Sequence, residues 1–123
     1  MKFDVGIPIY LQIKEEIENA IITNSLKEEE AIPSIRTMAQ EYRLNPQTVA
    51  NAVSELMNEG IIFKKRGIGM FVEQGAQNKL RQRKSREFRN DELVKMIGKS
   101  KSLGISKSEL IAMIDSLYNE GGE

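Results

Sequence analysis

Two helix starts fall close together in the middle of the chain, and they restrict its fold more than any other feature. Ser34 is a strong N-cap residue. Asn45 is another, followed by Pro46 at the first helical position, where the missing N–H has no partner to lose. After Ser34, the residues Ile35, Met38, Ala39 and Tyr42 recur at helical spacing. After Asn45, the residues Val49, Ala52, Val53, Leu56 and Met57 form one apolar stripe that Gly60 ends as a left-handed residue. The pattern predicts helices over 35–42 and 46–59, joined by a tight turn at Arg43-Leu44.

The flanks supply the remaining elements. Pro8 suits the first turn of a helix, and Ile9, Ile13, Ile17, Ala20 and Ile21 predict an amphipathic helix over 8–23. Residues 25–33 read as a loop holding Lys27 and the acidic run Glu28, Glu29 and Glu30. Three adjacent loop side chains diverge, so the run is not read as a metal site. After Gly60 the period changes. Ile61, Phe63, Met70 and Val72 have strand spacing on either side of Lys64-Lys65-Arg66-Gly67-Ile68-Gly69, which predicts a β-hairpin with a basic, glycine-containing tip. Residues 77–102 read as helical, with a stop at Gly104. Ser106-x-x-Glu109 is a capping box for a last helix with the stripe Leu110, Ile111, Ile114, Leu117 and Tyr118, and Gly121-Gly122-Glu123 is expected to fray. Met38, Met57, Met70, Met96 and Met113 are expected as core fillers, and Tyr10, Tyr42 and Tyr118 as packed aromatics with the hydroxyl at the surface.

Helix, helix, turn, helix, hairpin is the order of a winged helix-turn-helix. The expected fold is therefore mostly α with a small β-hairpin. A winged helix-turn-helix DNA-binding domain would cover residues 1–75, and a two-helix C-terminal dimerisation arm residues 76–123. Cysteine and histidine are both absent, which removes disulfides, Ser-His-Asp and Cys-His catalysis and almost every structural zinc site. No pair of carboxylates stands in an expected cleft, so the chain is read as no enzyme and as needing no cofactor or metal. No stretch is apolar for long enough to span a bilayer, and Met1-Lys2-Phe3-Asp4 lacks the apolar core of a signal peptide, which makes the cytoplasm the expected location.

Net charge is zero, yet it is segregated. Residues 1–63 hold 5 Lys/Arg against 10 Asp/Glu, residues 64–89 hold 9 against 2, and residues 90–123 hold 4 against 6. In a helix-turn-helix the second helix enters the DNA major groove, about 12 Å wide. The outer face of helix 46–59 carries Gln47, Thr48, Asn51, Ser54 and Glu55, and Gln and Asn can pair in bidentate fashion with adenine N6 and N7. Arg36, at the second residue of the preceding helix, can reach a phosphate or a guanine edge. Ser34 and Asn45 are caps first, and both are also counted among the DNA-binding residues, Ser34 through a phosphate. At the hairpin tip Lys64, Lys65, Arg66 and Gly67 suit the flanking minor groove or its phosphates. Lys64 and Lys65 also suit a second role, guarding an edge strand against aggregation.

Several segments together carry a family resemblance. They are Pro8-Ile9-Tyr10 with Gln12-Ile13, Ile32-Pro33-Ser34-Ile35-Arg36, Asn45-Pro46-Gln47-Thr48-Val49, Glu59-Gly60-Ile61-Ile62, and Arg66-Gly67-Ile68-Gly69-Met70-Phe71-Val72. Over about residues 8–73 the chain resembles the GntR family of bacterial transcriptional regulators. The Asn-Pro-x-Thr-Val segment and the short tail resemble its YtrA subfamily. The resemblance implies a dimeric repressor on an inverted-repeat operator, controlling its own operon and neighbouring ABC-transporter genes. It places Arg36 at the DNA-contacting arginine of the Pro-Ser-x-Arg motif, Thr48 at the recognition-helix threonine and Gly67 at the wing-tip glycine. Many members carry arginine where this chain has Pro46, Ala50 or Asn51. Helix 46–59 here has no cation and carries Glu55 and Glu59, so phosphate affinity is expected to rest on Arg36, Lys64, Lys65 and Arg66.

After Gly75 only about 48 residues remain, too few for two helices to enclose the roughly 300 Å³ of a typical metabolite pocket. The existence of a small-molecule effector is left open by the sequence. Their apolar stripes can instead pair with a second copy, which predicts a C2 homodimer with recognition helices about 34 Å apart on double-stranded DNA. The basic run Lys79, Arg81, Arg83, Lys84, Arg86 and Arg89 is open to three readings: a solvated face, a phosphate contact, or an RNA or protein surface. The alternative function is a winged-helix protein-interaction module, which salt-sensitive, sequence-dependent binding to duplex DNA would exclude.

Overall fold

The computed structural model describes residues 3–120. Six helices and three strands follow in the order α1 (Ile9–Ile22), β1 (Ala31–Ile32), α2 (Ile35–Tyr42), α3 (Pro46–Asn58), β2 (Ile62–Lys65), β3 (Gly69–Val72), α4 (Ala76–Asn90), α5 (Glu92–Ser102) and α6 (Lys107–Glu120). The protein is mostly helical, a winged helix-turn-helix followed by C-terminal helices. It divides into two compact units, one ending at Gln82 and one beginning at Arg83.

The caps act where the sequence puts them. Ser34 Oγ accepts from the Thr37 N–H at 3.1 Å and opens α2, and Asn45 Oδ1 accepts from the Gln47 N–H at 2.8 Å and opens α3. α2 ends on Arg43 in the left-handed region (φ 56°), and the next N–H, of Leu44, donates to Ala39 O at 2.9 Å. Gly60 (φ 74°) follows the end of α3. At the N-terminal side Gln12 ties the approach segment to α1, accepting from Asp4 N–H at 2.7 Å and donating to the carbonyls of Asp4 and Ile7 at 2.8 Å.

The core of the first unit takes Ile13, Ile17 and Ile21 from α1, Met38 and Ala39 from α2, and Val49, Ala52, Val53 and Leu56 from α3. The sheet closes one side of it. Its strand order is β1-β3-β2, antiparallel throughout. Ile32, Ile62, Met70 and Val72 face the core, and Phe63 and Phe71 face the other way. The segment expected as loop thus contributes a third strand. β1 is two residues long, and its pairing continues through Glu29 N–H to Val72 O (2.7 Å) and Val72 N–H to Glu30 O (3.1 Å). Ala76 and Leu80, from the first turns of α4, complete this core and are buried in it.

The second unit contains the end of α4 with α5 and α6. The helical stretch expected over 77–102 is broken at Asp91, whose φ of −119° and ψ of −76° depart from helical values, and whose carboxylate pairs with Lys95 Nζ at 2.9 Å. The capping box forms as expected: Glu109 N–H donates to Ser106 Oγ at 3.1 Å, and Ser106 N–H to Glu109 Oε1 at 3.3 Å. Ser100 is buried and donates to Met96 O at 2.8 Å. Among the described residues from Arg83 on, no apolar side chain is buried. Met96 and Met113, expected as core fillers, are exposed, as is Tyr118, because a pair of short helices has too little surface to cover its own stripes. The expected fraying at Gly121-Gly122-Glu123 lies outside the described residues.

Candidate nucleic-acid interface

The ten residues read as DNA-facing fall on two surfaces of the first unit. Ser34, Arg36, Asn45, Gln47, Thr48 and Asn51 lie on the helix-turn-helix. Lys64, Lys65, Arg66 and Gly67 lie on the β2–β3 hairpin.

On α3 the division between faces is sharp. Val49, Ala52, Val53 and Leu56 are buried, while Gln47, Asn51 and Ser54 are exposed and Thr48 is half-buried. Gln47 and Asn51, one turn apart, are bonded to each other: Gln47 Nε2 donates to Asn51 Oδ1 at 3.0 Å. Each amide keeps further donors and acceptors for a base edge. Arg36 is exposed on the first turn of α2. The Ser34 hydroxyl is used locally, accepting from Thr37 N–H and donating to Thr37 Oγ1 at 2.9 Å.

The acidic end of α3 is held by another helix. Lys14, mostly buried on α1, pairs with Glu55 at 3.5 Å and hydrogen-bonds Glu59. Burial alone would lower the Lys14 pKa. The hydrogen bond to Glu59 and the charges of Glu59, Glu18 and Glu55 outweigh it, so the pKa stands above its ordinary value and the ammonium is secured. Nothing in the sequence pattern marks Lys14, because its partners lie some forty residues away.

On the hairpin, alternation sends Lys64 and Lys65 to opposite faces. The Phe63 and Phe71 rings stack with centroids 5.6 Å apart, and Lys65 Nζ lies 5.9 Å and 5.2 Å from their centres, within cation–π range. Arg66 and Gly67 form the apex, closed by Ile68 N–H to Lys65 O at 2.9 Å. Gly67 has φ 77° and Gly69 φ 147°, conformations that side-chain-bearing residues rarely adopt. Between them Ile68 is 72% exposed, an apolar side chain at a basic tip.

Residues 9–72, from the start of α1 to the end of β3, match the family model described as "Bacterial regulatory proteins, gntR family". The chain belongs to the GntR family. As a GntR-family protein it is a DNA-binding regulator of transcription and not an enzyme. It is 32% identical over 123 residues to the uncharacterized HTH-type transcriptional regulator YhcF of Bacillus subtilis (strain 168), covering 98% of each chain. It is 36% identical over 73 residues to the HTH-type transcriptional repressor YtrA of the same organism, covering 59% of this chain and 56% of YtrA. Among solved structures, a transcriptional regulator from Oenococcus oeni superposes with a TM-score of 0.78 at 25% identity, over 96% of this chain and 97% of that one. The AraR DNA-binding domain in complex with operator ORE1 superposes with a TM-score of 0.52 at 29% identity, over 54% of this chain and 80% of that one. Among the described residues no helix is long and apolar enough to cross a membrane.

Proposed function

We propose that this GntR-family regulator is a cytoplasmic, homodimeric repressor that binds an inverted-repeat operator, one half-site per winged helix. The observation that carries the reading is the combination, within one winged helix, of an uncovered Gln47–Thr48–Asn51 face on α3 and a hairpin ending in exposed Lys64 and Arg66. Amides suit adenine edges in the major groove, and the cations suit phosphates beside the minor groove. Arg36 supplies a further positive contact from α2. The AraR complex supports placing a fold of this kind on duplex DNA.

Dimerisation is supported by the second unit. Val94, Ile97, Leu103, Ile111, Ile114 and Leu117 are exposed on α5, α6 and the turn between them, and Leu117 is 61% exposed. A helical unit with no buried apolar side chain of its own is stabilised by covering its stripes with the same stripes of a second copy. Its own operon and a neighbouring ABC transporter are the proposed targets, as the family resemblance of the sequence implies.

The test is selection of bound duplexes from a random library, followed by sequencing. Enrichment of an inverted repeat is expected, and a genome search with it identifies the controlled genes. No enrichment at low salt from a folded dimer refutes operator binding and favours a protein-interaction module. Deleting residues 105–123 is expected to give a monomer that binds the operator far more weakly. A truncated chain that still sediments as a dimer places the interface elsewhere.

A further inference from the structure

The root of α4 is fixed from three directions by side chains outside the ten residues read as DNA-facing. Glu28, in the acidic run before β1, accepts from the Gly75 N–H at 2.8 Å and the Gln77 N–H at 3.3 Å. Gln77 Nε2 donates to the Ile22 carbonyl, the last of α1, at 2.9 Å. Lys79 Nζ donates to the Glu59 carbonyl at the C-cap of α3, and comes so near Gly60 that a Cβ there would meet it at 3.2 Å. Each bond satisfies a helix-terminal group that has no partner inside its own helix. A carboxylate at the start of α4 and an ammonium at the end of α3 also oppose the two helix dipoles. Between them Ala76 and Leu80 are buried. From this root α4 runs unbroken to Asn90.

We infer that Glu28, Gln77 and Lys79 are positioning residues that set the spacing between operator half-sites. The inference rests on the dimeric reading given above. Two recognition helices keep register on DNA only as firmly as each winged helix is joined to the helix leading into the arm. One inserted base pair carries a half-site about 3.4 Å along the duplex and about 34° around it. A root bonded to α1, α3 and the Glu28 loop resists that displacement, and a loosened one yields to it. None of these bonds involves Gln47, Thr48 or Asn51, so base preference within a half-site is independent of them.

The experiment uses the full chain and a library in which one half-site is repeated in inverted orientation with the spacer varied by single base pairs. The wild type is expected to prefer one spacing over its neighbours by about tenfold or more. The triple variant Glu28→Ala, Gln77→Ala, Lys79→Met is expected to select the same half-site but to separate neighbouring spacings by less than about threefold. Lys79→Arg in the otherwise wild-type chain, which keeps a donor for the Glu59 carbonyl, is expected to keep the narrow spacing preference. Should the triple variant fail to fold, Gln77→Ala and Lys79→Met decide the matter singly, each broadening the spacing preference. Variants that keep the half-site and the narrow spacing overturn the inference while leaving the dimeric reading intact. A wild type that selects no inverted repeat overturns both.

Discussion

Replacing Gln47 and Asn51 by alanine, singly and together, tests whether the two amides read DNA as a unit. Their mutual hydrogen bond, 3.0 Å long, is exposed, and such a bond contributes about 0.5–1.5 kcal/mol net. An asparagine meeting adenine in bidentate fashion discriminates by about 1–3 kcal/mol. Gln47 holds the carboxamide plane of Asn51, so removing it weakens the Asn51 contact as well. Asn51→Ala is expected to cost about 2 kcal/mol per half-site and Gln47→Ala about 1–2 kcal/mol. The double variant is expected to cost about 2–3 kcal/mol, less than the two singles together, which gives a coupling energy near 1 kcal/mol. The assay is titration of a labelled operator with the four proteins at one salt concentration, accompanied by sequence selection with each single variant. Additivity within about 0.5 kcal/mol refutes the reasoning. So does relaxed preference at two different base pairs, because coupled amides relax the same one.

Leu80→Ala is expected to destabilise the winged helix by about 3 kcal/mol in urea unfolding at fixed protein concentration, since the side chain is fully buried; a loss under about 1 kcal/mol would exclude α4 from that core. Arg66→Ala is expected to weaken binding to all sequences and to lower the slope of log K against log salt by about 0.9 per chain, and an unchanged slope would remove it from the phosphate contacts. Lys14 has a folded pKa above its ordinary 10.5, so its stabilisation is full below that value and is lost as pH rises through the folded pKa. Tyr42, raised by burial and by Glu16 and Glu41, acts in the same direction. Thermal stability should therefore hold from about pH 7 to 9 and fall above about 10.5, with Lys14→Met reducing the fall; an undiminished fall in that variant would discount the Lys14 contribution.

What the sequence discloses follows the range of the interactions involved. The bounds of α2 and α3 are legible because Ser34, Asn45, Pro46 and Gly60 act within one turn of themselves. The outward face of α3 is legible for the same reason, since Gln47 and Asn51 share it through helical spacing alone. β1 is not legible: two residues carry no periodicity, and their partner strand lies some forty residues on. The break at Asp91 has neither proline nor glycine to announce it. Ala76 and Leu80 sit in a strongly polar helix and betray nothing of their burial, which the fold decides. Glu28 reads as one of three loop acids, and its bond to the start of α4 exists only once the chain has returned to it.

The separation of charge between α3 and the hairpin bears on how such a regulator can evolve. α3 carries no cation, its one acidic residue, Glu55, and its C-cap Glu59 are engaged by Lys14, and Lys64 and Arg66 stand on another element. On the proposed reading, sequence preference and general grip on the duplex fall to different parts of the chain. On that reading, substitutions at Gln47 or Asn51 redirect such a protein to a new promoter while leaving the salt-dependent hold on phosphates unchanged. Substitutions at the hairpin tip can adjust occupancy across all targets together. A gene duplicate could thus acquire new targets through a few changes on one helix, while keeping a grip already matched to the salt of its host.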